Sequence, residues 1–297
     1  MKFAGSIILV GISIGIAAAQ QPTVSQGGVV NSANYSTDNP RGSLVTVFGT
    51  NMVSGANELL TASTVPLSTE VIGKSPAGKT DKVSVSVNDT PAPIFYAAGG
   101  AEQGGALATQ ASIQVPWETK TGTADIVVTL NGQASAPQQF HVTTFSPAIF
   151  TINQQGTGPA LVFNAVAITV NGKATLAIAQ PANSVPGLTA IPAKGGDHLF
   201  LYATGLGPVT PSIASGAAPC KLTGCVSTDK QRTTTTLPVV LVGGVPAKVE
   251  FSGLAPQYVG VYQLNFQVPS GIPASSTTTL QVQAGNVTSN SVTFATQ

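Results

Sequence analysis

Charged side chains are scarce in this chain. Lys and Arg total 12 and Asp and Glu 11, a net charge of +1 over 297 residues. So few cations cannot neutralise a run of phosphates, which argues against a nucleic-acid partner. Histidine occurs twice, as His141 and His198. No Gly-x-Ser-x-Gly elbow accompanies them, so a Ser-His-Asp triad has no support. The carboxylates Glu58, Glu70, Asp81 and Asp89 stand in turns or long loops, and no spacing marks a glycosidase pair or a calcium loop. The expectation is therefore no catalytic residue, no metal and no cofactor. Helical periodicity is missing too: no window keeps apolar residues at i, i+3, i+4 and i+7 over three turns. Beyond the N-terminus no apolar run approaches the length of a membrane span.

That N-terminus is the exception. Lys2 precedes the short apolar run Ile7–Ile16, and Ala17-Ala18-Ala19 offers a small-residue cleavage site before Gln20. The pattern reads as a secretory signal peptide over residues 1–19, placing the mature chain outside the cell, at its surface or in a periplasm. A retained anchor is the alternative, though the run is short for a bilayer. The two cysteines, Cys220 and Cys225, have four residues between them. In an exported chain such a pair reads as a structural disulfide, since a redox motif has two intervening residues and a metal site needs further ligands.

What the chain has in abundance is turn and strand chemistry, with 32 Gly and 21 Pro among many Val, Thr and Ser. Lys82–Val87 alternates strictly, and Leu44–Phe48, Asp125–Leu130, Leu199–Tyr202, Pro238–Val242 and Thr277–Gln283 read as further strands. Residues 52–80 read as a long loop with one short strand, and Gly99–Gly105 as a flexible tip. The chain also repeats itself. Gly42–Met52 is answered by Gly196–Leu206, Val85–Ala92 by Val240–Ala247, Ile113–Pro116 by Phe266–Pro269 and Asn131–Ala136 by Ala284–Ser289, at offsets of 154, 155, 153 and 153. Matches in one order at one spacing imply tandem copies of one domain. The expected fold is all-β with very little helix: two tandem immunoglobulin-like β-sandwiches over residues 20–150 and 151–297. Residues 160–164 (ALVFN) answer 28–31 (GVVN), and the second copy carries an extra hairpin near residues 166–180 around Asn171-Gly172.

The runs GSLVTVFGTNM, VNDTPAPIFYAA, IQVPWE, GDHLFLYATGLGPVTP, VGGVPAKVEFSGLAP and VYQLNFQVPSGIP resemble a C-terminal domain of the Solibacter type, found in secreted proteins of Acidobacteria. That family is similar to IPT/TIG immunoglobulin-like domains. The resemblance covers residues 27–297 and implies a β-sandwich fold and an extracellular setting. It brings no activity and no catalytic residues.

Aromatic residues are the remaining candidates for function. Trp117, the only Trp, follows Pro116; Tyr96 precedes the Gly-rich tip; Tyr258 and Tyr262 flank Val259–Val261. Aromatics at sandwich ends stack on sugar rings or a partner chain, or else plug the core. The expected role is non-enzymatic: extracellular binding or adhesion, or a structural part of an envelope, with a polysaccharide or an envelope protein as partner. A fibre built by edge-strand pairing is the alternative, and a hydrolase with a site between the domains a remote one.

Overall fold

The computed structural model describes residues 21–297 apart from 76, 104–105, 171, 221–223 and 227. The segment expected to be a signal peptide, and Gly104, Gly105 and Asn171 of the expected tip and hairpin, lie outside the described residues. Among the described residues there is no helix, and hence none long and apolar enough to cross a membrane.

Alternation places the first half of the chain in two facing sheets. Its strands are β1 (Thr23–Asn31), β2 (Asp38–Pro40), β3 (Leu44–Thr50), β4 (Leu59–Thr61), β5 (Glu70–Lys74), β6 (Thr80–Val87), β7 (Thr90–Pro91), β8 (Ile94–Gln103), β9 (Ala106–Gln114), β10 (Gly122–Leu130), β11 (Gln133–Ala134) and β12 (Gln138–Thr143). One sheet runs β1-β3-β9-β8-β4 and the other β2-β12-β10-β6-β5, with β2 parallel to β12. Apart from the short edge strands, this is the strand arrangement of a constant-type immunoglobulin sandwich. Val45, Val47, Val83, Val85, Val87, Ile113, Ile126 and Val128 point inward from the two sheets and form one buried core.

The second half uses β13 (Ala148–Ile149), β14 (Val162–Asn164), β15 (Ile168–Val170), β16 (Lys173–Thr175), β17 (His198–Thr204), β18 (Val209–Thr210), β19 (Thr233–Thr234), β20 (Val239–Val242), β21 (Val245–Leu254), β22 (Tyr262–Gln267), β23 (Ser275–Ala284), β24 (Val287–Thr288) and β25 (Val292–Thr296). The order β17-β22-β21-β20-β23 makes one continuous sheet, because β21 pairs with β22 along most of its length and with β20 at its start. A second core gathers Leu199, Leu201, Tyr262, Leu264, Phe266, Leu280, Val282 and Phe294. β15 and β16 form a separate two-stranded hairpin.

The register gives the repeat a physical meaning. Val45 pairs with Ile113 in β3–β9, and Leu199 with Phe266 in β17–β22. Asn31 pairs with Val45, and Asn164 with Leu199. A register shift separates Ile94 from Tyr96, and another separates Val249 from Phe251, so the same bulge recurs in both halves. The last match is out by one residue. Leu130 pairs with Gln133 and Ala284 with Val287, an offset of 154. Ser135 Oγ accepts from Val128 N at 3.1 Å, as Ser289 Oγ does from Val282 N at 2.9 Å. The Gly-rich text around the turn hid this pairing.

The shared Gln-Val-Pro runs also have a task. Gln114 Nε2 donates to Gly42 O at 2.9 Å and Gln267 Nε2 to Gly196 O at 3.1 Å, each tying the end of one strand to the glycine before its neighbour. Both glycines have positive φ, 77° at Gly42 and 92° at Gly196, which accounts for glycine at this point in both copies.

Two expectations need correction. Residues 52–80 contain two strands, β4 and β5, at the edges of the opposed sheets. The tip at Gly99 is part of β8 as far as Gln103, because Gly99 and Gly100 let the strand pass close to Gly55 and Ala108.

This region holds a buried acidic pair. Asp81 is fully buried and accepts from Ser54 N at 2.6 Å, Ser54 Oγ at 2.7 Å and Asn131 Nδ2 at 2.9 Å. Glu58 is 3% exposed, and its Oε1 has no hydrogen-bond partner. Burial, and then the charge of Asp81, raise the Glu58 carboxyl above its ordinary 4.5. A raised carboxyl holds its proton more tightly folded than unfolded. Its stabilising contribution is complete below pH 4.5 and is lost as pH rises through the folded-state value. Glu58→Gln is therefore expected to stabilise the protein at pH 7 by about 1 kcal/mol and to have little effect near pH 4. Thermal melts at the two pH values check this; equal destabilisation at both would contradict it.

Candidate functional site

The outward face of β14–β17–β22–β21 gathers aromatic and amide side chains. In β17 the odd positions Leu199, Leu201 and Ala203 enter the core, so Phe200 and Tyr202 point out. Phe163 of β14 lies directly opposite Phe200, with ring centroids 5.4 Å apart and planes 21° from parallel. Tyr202 meets Phe200 edge-on at 5.7 Å, and Tyr258, from the loop between β21 and β22, meets Tyr202 at 5.8 Å. The row grades from Phe200, 9% exposed, to Tyr258, 54% exposed. Aromatic contacts of this kind add about 0.5–1.5 kcal/mol per pair and hold the rings in place.

Across β22 the same face turns polar. Asn265 stands opposite Phe200 and Phe251, and Gln263 opposite Tyr202 and Gly253. Gln263 Nε2 donates to Asn265 Oδ1 at 2.8 Å, which leaves Gln263 Oε1 and Asn265 Nδ2 free to accept and donate among the described residues. Beyond them lies an open cleft of about 560 Å³, lined by Glu250, Phe251, Gln263 and Asn265 and by Cys220, Cys225 and Asp229. Cys220 and Cys225 are bonded, as expected. A loop this small is stabilised by about 2 kcal/mol on the chain-entropy model. Cys220, Cys225 and Asp229 come close enough to hold a metal, but the disulfide removes both thiolates from that chemistry. A second cleft, of about 330 Å³, lies at the other end of the aromatic row between Tyr202, Tyr258, Phe150, Leu161, Val261 and Leu44 of the first half.

Glu250 and Asp229, the carboxylates along this face, both have partners. His198 Nδ1 lies 2.8 Å from Glu250 Oε2, and Lys248 Nζ 3.9 Å from Glu250 Oε1. Asp229 Oδ2 accepts from Val226 N at 2.8 Å. His141 of the first half is similarly paired with Asp38, at 2.8 Å.

Of the aromatics singled out from sequence, only Tyr258 belongs to this face. Tyr262 is a correction: it is fully buried in the second core, its hydroxyl donates to Gly207 O, and its acidity is lowered by burial. Tyr96 is half-buried on the corresponding face of the first half, where burial raises its pKa. Trp117 is half-buried at the junction of the two halves. Its ring packs on Gly42 and on the second core; its backbone N–H donates to Ser215 Oγ at 2.9 Å, and the buried indole Nε1 has no hydrogen-bond partner among the described residues. Phe163, Phe200, Tyr202, Gln263 and Asn265 were missed. The signal was in the repeat, since register aligns them with Val30, Thr46, Phe48, Gln110 and Ser112. Three of those five positions gain an aromatic ring or an amide in the second copy.

No protein-family profile and no curated protein matches the chain. Among solved structures, domains 5-6 of the S-layer protein SbsC are similar to it at 10% identity, covering 93% of this chain and 98% of that one. The TM-score is 0.21, too slight a likeness to carry over a fold or a role.

Proposed function

We propose that this is an exported, non-enzymatic binding protein of tandem immunoglobulin-like build, related to the Solibacter-type and IPT/TIG domains. It attaches an envelope or extracellular component through the aromatic and amide face of its second half. The observation that carries this reading is the row Phe163–Phe200–Tyr202–Tyr258 beside Gln263 and Asn265. Rings held by stacked and edge-to-face contacts supply fixed apolar area at little entropic cost, and amides with unused hydrogen-bonding capacity supply direction. The first half serves as a mount. It is tied to the second through Gln114, Thr204, Ser215 and Gly216, and Leu44 of β3 helps line the cleft beside Tyr258.

The test is co-sedimentation of the mature protein with cell-envelope fractions. The wild type is expected to pellet, and Tyr258→Ala to lose most of that retention. Tyr258 is more than half exposed, so an unchanged melting temperature would show that the fold is intact. A wild type that stays in solution, or a variant retained as well as the wild type, would overturn the reading.

A further inference from the structure

We infer that the ligand of this face is an uncharged oligosaccharide or polysaccharide chain. The inference rests on the binding role proposed above and adds the chemical class. Three features select it. A pyranose ring offers an apolar C–H face and a rim of hydroxyls, each both donor and acceptor. The face offers the complement: ring surface at Tyr258 and Tyr202, with an acceptor at Gln263 Oε1 and donors at Asn265 Nδ2 one strand away.

Charge supplies the second feature. Glu250 is taken up by His198 and Lys248, and Asp229 by the Val226 N–H, so the carboxylates beside the cleft already have partners. Among the described residues Lys230 is the one cation lining the cleft, and the whole chain has a net charge of +1. A polyanion or polycation would find no matching field here, whereas a neutral chain needs none.

Extent is the third. The cleft of about 560 Å³ reaches Gln263, and the cleft of about 330 Å³ reaches Tyr202. Tyr202 and Gln263 are direct partners across β17–β22, so neighbouring side chains of one sheet line the two clefts. Each alone lies within the range that accommodates a small ligand. Two open clefts side by side on one sheet face suit several linked sugars rather than a single enclosed one.

Isothermal titration against soluble neutral glycans (xylan, galactomannan, laminarin and cellohexaose), beside polygalacturonate and chitosan, tests the class. At least one neutral glycan is expected to bind, and Tyr258→Ala and Asn265→Ala each to weaken it at least tenfold without lowering the melting temperature. The charged polymers are expected not to bind. Binding of a charged polymer alone, absence of binding by every neutral glycan, or neutral binding indifferent to both substitutions would overturn the inference. If envelope retention still depends on Tyr258 while no neutral glycan binds, the class is wrong and the site stands; if retention is indifferent to Tyr258, the site itself is wrong.

Discussion

Gly42→Ala is expected to destabilise the protein by about 3 kcal/mol or more, while Gly196→Ala costs about 1 kcal/mol. The two glycines occupy the same place in the repeat and both have positive φ, so each substitution carries the same backbone strain. The difference lies in what surrounds them. A Cβ at Gly42 would overlap the six-membered ring of Trp117, which rests directly on the glycine, whereas nothing lies within 4 Å of a Cβ at Gly196. Displacing Trp117 also withdraws apolar surface from the second core, against which the indole packs. Chemical denaturation of both variants measures the difference. Equal losses would mean that Trp117 moves aside freely and does not brace the junction.

A second contrast concerns the paired glutamines. Gln114 is fully buried and bridges the halves: Nε2 donates to Gly42 O at 2.9 Å, and Oε1 accepts from Gly216 N at 2.7 Å. Gln114→Leu strands a buried carbonyl and a buried N–H, for an expected loss of about 2–4 kcal/mol. Among the described residues Gln267 makes only the first of these bonds, to Gly196 O, and it is half-exposed. Water replaces its partner, so Gln267→Leu is expected to cost about 0.5–1 kcal/mol. Denaturant midpoints at fixed pH distinguish the two cases, and a Gln267 loss as large as that of Gln114 would contradict the bridging role.

These contrasts show where the sequence was informative. Strand alternation such as Lys82–Val87 forecasts which side chains enter the core, because the side-chain period of two is fixed by backbone geometry. The copies could be aligned because Gly42 and Gly196, or Gln114 and Gln267, meet the same local demand twice. The Asn131 hairpin slipped by one residue because a turn of Asn and Gly carries no apolar mark to fix its register. Tyr262 and Tyr258 looked alike in sequence, four residues apart on either side of a loop. Only the pleat sends Tyr262 into the core while the loop leaves Tyr258 in solvent. The proposed binding face was hardest to see, since Phe163, Phe200 and Asn265 come from three strands that meet only in the folded sheet. Trp117 read as a ligand aromatic because its partner, Gly42, is 75 residues away in the chain.

One scaffold is used twice, and the proposed binding face belongs to its second copy alone. The most direct test compares matched substitutions on the two faces. Tyr202→Ala and Asn265→Ser alter the second copy; Phe48→Ala and Ser112→Ala alter the register-equivalent positions of the first. In a binding isotherm with the neutral glycan that the wild type takes, the first pair is expected to raise Kd at least tenfold and the second pair to leave it within twofold. Equal losses from both faces, or a loss confined to the Phe48 and Ser112 variants, would contradict the account.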